Sequence, residues 1–150
     1  MKKLFSLSLL FVAVLVGCKD DDVKVDAKAT LTAASKGWVF ESIKVNGQEA
    51  IDGFLDECDQ DNSLIFTSDG KFTEVGNETK CDSTEPATLD SGTWSLNSDN
   101  TELTVTSSDP DGFALVLKKV SITETNITGE YSESGGGITI VANVVMKKKS

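Results

Sequence analysis

The chain has 150 residues, with 24 acidic against 14 basic side chains, a formal net charge of −10 and no histidine. A surface so acidic is repelled by nucleic-acid phosphates and by anionic lipid head groups, which removes both as partners through charge. Serine-nucleophile chemistry lacks its histidine base here, and the chain has no Gly-x-Ser-x-Gly elbow.

Taken in order, the chain opens with Lys2 and Lys3 and an apolar run from Leu4 to Val16 interrupted only by Ser6 and Ser8. At about 13 residues the run is too short for a bilayer core of ~30 Å, which needs about 20 in a helix, and it reads as a secretory signal. Leu15-Val16-Gly17-Cys18 resembles the lipobox of bacterial lipoproteins, in which the cysteine thiol is diacylated before the signal is cut away. The resemblance implies removal of residues 1–17 and a mature chain held in the membrane by acyl chains (diacylglycerol and palmitate) on Cys18. Each buried CH₂ contributes ~0.8 kcal/mol, so two or three chains make release negligible. Of 150 residues, 133 remain after loss of seventeen, and the net charge falls from −10 to −12 as Lys2 and Lys3 go. That length suits one domain.

Residues 18–35 read as the lipidated cysteine and an acidic flexible tether, because small and charged residues with no apolar period bury too little to order themselves. Lys19-Asp20-Asp21-Asp22 resembles the signal that sends some Gram-negative lipoproteins to the outer face of the outer membrane. It implies the cell surface rather than the periplasmic face, with a solvated periplasmic spacer as the alternative. Once Cys18 is acylated, Cys58 and Cys81 form an even pair in an oxidising compartment, and a Cys58–Cys81 disulfide is expected. Metal ligation by two thiols lacks a CxxC spacing and histidine support.

From Trp38 onward the pattern is strand after strand. Residues 38–45 are aromatic and β-branched and end at Asn46-Gly47, with Trp38 and Phe40 on one parity and Ile43 and Val45 on the other. A bulge near Ser42 would reconcile the two faces. Residues 64–67 and 72–75 flank the turn Ser68-Asp69-Gly70-Lys71, and 92–96 and 101–106 flank Asn97 to Asn100. Asp109-Pro110-Asp111-Gly112 turns into 113–120, a further strand covers 121–131, Gly135-Gly136-Gly137 makes the last turn, and Ile138 to Met146 closes the chain. No sustained 3.6-residue period occurs between Trp38 and Met146. Short strands joined by consecutive hairpins point to an all-β, antiparallel up-and-down barrel over residues 36–150.

The pattern resembles the lipocalin-like domains of bacterial lipoproteins over residues 36 to 120. The residues that carry the likeness are Trp38, Val45-Asn46-Gly47, Cys58, Asp61-Asn62-Ser63-Leu64-Ile65-Phe66, Asp69-Gly70-Lys71-Phe72, Cys81 and Gly92-Thr93-Trp94. Gly37 departs from the family pattern by standing directly before the tryptophan, where a lipocalin has its glycine one residue earlier. The resemblance implies a small barrel whose closed end is sealed by Trp38, in a family largely without an assigned activity.

Asp52, Asp56, Glu57, Asp59 and Asp61 crowd the loop around Cys58, and Asp56, Asp59 and Asp61 are the calcium candidates; the alternative is a solvated acidic loop, since the spacing fits no EF-hand. An eight-stranded barrel is just wide enough to be filled by side chains or to hold one small ligand. A lined pocket would draw on Phe66, Phe72, Trp94 and Phe113. The expectation is a non-enzymatic module without cofactor that binds a small apolar ligand or an envelope protein. The alternatives are a ligand-free structural lipoprotein of an envelope assembly and, of another class, a carboxylate-based hydrolase. Oligomeric state is left open.

Overall fold

The computed structural model describes residues 26–150, so the expectations for the leader, for Cys18 and for the tether up to residue 25 fall outside the described residues. Nine strands follow one another: β1 (Trp38–Val45), β2 (Gln48–Glu49), β3 (Ser63–Phe66), β4 (Lys71–Val75), β5 (Thr88–Leu96), β6 (Glu102–Ser107), β7 (Ala114–Ile122), β8 (Asn126–Gly135) and β9 (Ile138–Lys148). All pairings are antiparallel. Strands β3 to β9 pair in chain order, β1 pairs with both β3 and β9, and β2 is a spur on β1. Eight strands therefore close an up-and-down barrel, with sequence neighbours as sheet neighbours.

Local chemistry sets the register. β1 joins β9 from Trp38↔Lys148 to Val45↔Ala142, with a register shift between Phe40 and Ser42. This bulge lets Trp38 and Phe40 face inward on one side of it and Ile43 and Val45 on the other, as the phase change in the sequence requires. Asn46 and Gly47 both take positive φ (52° and 80°), the backbone of a tight two-residue hairpin. The join between β1 and β3 is different, because only Trp38↔Leu64 pair there. Beyond that single pair β1 parts from β3 and β4.

One end of the barrel is filled and plugged. Trp38, Phe66, Phe72, Leu103, Leu117, Ile127 and Met146 are all fully buried there, and Phe66 meets Trp94 edge-on at 5.5 Å. The tether expected to reach residue 35 stops short of it. Asp26 Oδ1 accepts from Ala29 N–H at 3.1 Å and caps α1 (Ala27–Thr32), whose Leu31 is completely buried. The Trp38 indole N–H donates to the Leu31 carbonyl at 3.0 Å, which ties this plug to the first strand. A helix of six residues with one large apolar side chain is too short to show a period, which is why the segment reads as a tether. Gly37 sits in the link between plug and barrel with φ 84°, where a Cβ would come within 2.8 Å of the Leu64 carbonyl oxygen.

A second difference lies at residues 121–131, which are not one strand. β7 runs on to Ile122, and β8 begins at Asn126. The turn between them is closed by one side-chain and one backbone bond: Asn126 N–H donates to Thr123 Oγ1 at 3.0 Å, and Thr123 N–H donates to the Asn126 carbonyl at 2.8 Å. With neither glycine nor proline it leaves no punctuation in the sequence. At the end of the barrel opposite the plug, the β8–β9 hairpin continues past its last pairing with β1, so Ile138 and Ile140 are exposed.

Candidate functional site

Where β1 parts from β3 and β4, the wall opens into a cleft of about 460 Å³. Its apolar lining comes from Phe40 on β1, Leu64 on β3, Leu89 on β5, Phe113 before β7 and Leu55 from the loop after β2. A second hollow of about 210 Å³ shares Phe40, Leu55 and Phe113 and reaches Ile43, Leu115, Val144 and Tyr131. Phe54 also borders this hollow and meets Tyr131 edge-on at 6.2 Å.

Phe113 stands between the two spaces, in edge contact with Phe40 at 6.5 Å and with Phe72 at 6.3 Å. Its position is set from β5. The Asp90 carboxylate accepts from Phe113 N–H at 2.8 Å and from Ser107 Oγ at 2.6 Å, and so pins the Asp109 to Phe113 turn to the barrel. Burial alone would raise the Asp90 carboxyl, but the hydrogen bonds from Ser107, Phe113 and Ser91 outweigh it and hold it below the usual carboxylate range. A depressed folded value contributes stability that is present above the unfolded value and lost as pH falls through the folded one, here below about pH 4. Asp90→Ala is expected to cost about 1–3 kcal/mol at pH 7 and less as the pH is lowered below about 4, measured by urea unfolding at pH 7 and pH 3.

Four polar side chains face the same cleft: Asp59, Asn62, Glu74 and Glu85. Glu74 shares the inward parity of Phe72 on β4 and is opposite Leu64. Burial raises the Glu74 carboxyl above its ordinary range, and Asp59, Asp90 and Glu85 raise it further against the opposing Asn62 hydrogen bond. Asp59 is raised by burial, then by Asp56 and Glu85. Asn62 is 5 % exposed and donates from Nδ2 to Asp59 Oδ1 at 3.0 Å and toward Glu74 Oε1 at 3.4 Å. Its Oδ1 is buried without a partner.

Two loops frame this polar edge, and the Cys58–Cys81 disulfide ties them, with a Cα separation of 5.1 Å across 23 residues. The same loops are stitched by Asp61 Oδ2, which accepts from Glu78 N–H (3.1 Å) and Thr79 N–H (3.0 Å), and by Asn77, which donates to Ser63 Oγ (3.0 Å) and to the Asp61 carbonyl.

The structure divides the expected site residues. Of the four aromatics expected to line a pocket, only Phe113 does; Phe66, Phe72 and Trp94 are 2, 1 and 6 % exposed and form the packed core. The three are inward-facing as expected, but they sit in the plugged half, where Trp94 N–H already donates to the Thr67 carbonyl at 3.0 Å. Trp38 is at that closed end, fully buried. The calcium candidates Asp56, Asp59 and Asp61 do not converge. Among the described residues the only set of three or more acidic and cysteine groups close enough to share an ion is Cys58, Asp59 and Cys81, and both sulfurs are in the disulfide. Glu74 was not among the expected site residues, although its parity with Phe72 could have pointed to it; Leu55, in a loop, and Leu89, at the start of β5, carried no comparable signal.

The sequence matches the lipocalin-like domain family over residues 35–129, further along the chain than the quoted motifs reach. No curated protein matches it.

Proposed function

Because the chain belongs to the lipocalin-like domain family, we propose that it is a binding module that takes a small, largely apolar molecule into the cleft between β1 and β4. The observation that carries this reading is the asymmetry of the barrel: one half is filled by its own aromatics, while the other holds a cleft of about 460 Å³, within the range of small-molecule sites. We further propose that the module is lipid-anchored through Cys18 at the outer membrane, on the cell surface. Asp26, the first described residue, begins the plug, so an anchor preceding it would meet the fold at the end away from the cleft. A role in binding rather than catalysis fits a site whose walls are mostly hydrocarbon.

The test uses residues 18–150 with Cys18→Ala, which retains every described residue, titrated with the uncharged fluorescent probe N-phenyl-1-naphthylamine. Saturable one-site enhancement is expected, weakened at least fivefold by the pair Phe40→Ala and Phe113→Ala, on the order of 1 kcal/mol of binding. No saturable binding would sink this reading in favour of the ligand-free structural lipoprotein.

A further inference from the structure

The cleft and the smaller hollow beside it are two spaces because three side chains keep them apart: Phe40, Leu55 and Phe113 line both. Beyond that partition the linings differ. The cleft ends on Leu64 and Leu89, whereas the hollow runs on along Ile43, Leu115 and Val144 inside the barrel. Apolar surface is present on both sides, so the length of chain a ligand can bury depends on how firmly the partition is held.

Phe40 is held by the sheet, since it lies on β1 opposite Met146 of β9. Phe113 lies in no strand, yet its backbone is clamped at both polar groups: its N–H donates to Asp90 Oδ2 at 2.8 Å, and its carbonyl accepts from Ser107 N–H at 2.8 Å. The clamp is packed as well as bonded. Ser107 Oγ donates to Asp90 Oδ1 at 2.6 Å and accepts from Asp109 N–H at 2.8 Å, which draws the turn down onto β5 and β6. A Cβ on Gly112 would collide with that hydroxyl and come within 2.9 Å of Asp90 Oδ2, so the turn closes this tightly only with glycine there. Behind the Phe113 ring stands Phe72, 1 % exposed and part of the packed core. With its backbone engaged and a full core at its back, the ring has little room to swing aside.

We propose that Phe113 sets the length of ligand the cleft admits, with Asp90 and Ser107 as the positioning residues that hold it. A compact molecule or a short chain fits in front of the ring, and a longer chain is stopped by it. This rests on the cleft being the binding site and adds the size of the ligand. Cutting the ring back to a methyl group joins the two spaces, and a chain can then run on from the cleft to Leu115 and Val144.

The probes are the uncharged alcohols hexanol, octanol, decanol and dodecanol, titrated calorimetrically into residues 18–150 with Cys18→Ala. While each added CH₂ finds apolar contact, affinity rises roughly threefold to fourfold per carbon, and in the parent that rise is expected to stop within the series. Phe113→Ala should weaken the shortest alcohols, which lose contact with the ring, and carry the rise on by about two carbons or more, so that its affinities cross those of the parent. Phe113→Leu refills part of the partition and should move the stop back toward the parent. Asp90→Ala leaves the ring in place but frees its backbone, and its stop should also move to longer chains; a merely structural loss would weaken every alcohol by the same factor. An identical stop in Phe113→Ala and the parent overturns the inference, as does affinity in the parent that climbs unbroken to dodecanol. A stop that moves in Phe113→Ala and not in Asp90→Ala overturns the role of Asp90. If the parent binds no alcohol the inference also falls, and if N-phenyl-1-naphthylamine fails as well the site itself falls with it.

Discussion

Replacing Cys58 and Cys81 together by serine lowers the midpoint of thermal unfolding by roughly 10–15 °C. The bridge closes a loop over a separation of 23 residues, and removing that constraint from the unfolded chain costs about 3 kcal/mol in the chain-entropy treatment. For a domain of this size each kcal/mol corresponds to roughly 3–5 °C. The double substitution leaves neither partner of the bridge as a free thiol, and calorimetry without reductant reads the shift directly. The other stitches between the two loops, Asp61 to Glu78 and Thr79 and Asn77 to Ser63, are part-buried or exposed hydrogen bonds. Each contributes on the order of 1 kcal/mol and cannot replace a covalent link. A shift under about 2 °C would show that those bonds hold the loops unaided. The same variant should weaken ligand binding, because Asp59 and Leu55 on one side of the bridge and Glu85 and Pro86 on the other line the cleft.

What could be read in advance follows from which interactions are local. The closed antiparallel sheet was legible because alternation and turn residues are written within each strand pair: the Phe40 to Ser42 bulge follows from a change of parity, and the Asn46-Gly47 and Gly70 turns from residues that tolerate positive φ. The disulfide followed from counting cysteines in a chain whose opening residues read as an export signal. The position of the cleft was not legible, because it depends on β1 meeting β3 at one pair and then leaving it. No residue in either strand announces where two strands distant in pairing stop touching. Inward parity marks Phe66, Phe72 and Trp94 as lumen residues but does not say which half of the lumen is full. The turn at Thr123–Asn126 was hidden for a related reason, since a hydroxyl does the work that glycine does elsewhere.

Trp38→Ala is expected to cost about 3–5 kcal/mol, a large share of the roughly 5–15 kcal/mol that holds a domain of this kind together. Its indole is completely buried, and it does two jobs that substitution can separate. The ring fills the closed end of the barrel beside Leu64, and the N–H satisfies the Leu31 carbonyl, one of the last-turn carbonyls of α1 that the helix itself does not pair. Trp38→Phe keeps most of the ring and removes the donor, so the barrel should stay folded at a cost of about 1–2 kcal/mol while the plug loosens. In both variants Trp94 is the sole tryptophan, and the Lys28 ammonium lies 5.9 Å from its ring centroid. Undocking of α1 takes Lys28 away from that ring and opens the bond after Lys28 to trypsin. Trp38→Phe should therefore shift Trp94 emission and become cleavable at Lys28 with its strand circular dichroism unchanged, whereas Trp38→Ala should lose both signals at a lower urea concentration. If Trp38→Phe resists trypsin as well as the parent does, the plug is held by Leu31 and Ala34 packing alone, and the indole hydrogen bond is incidental to it.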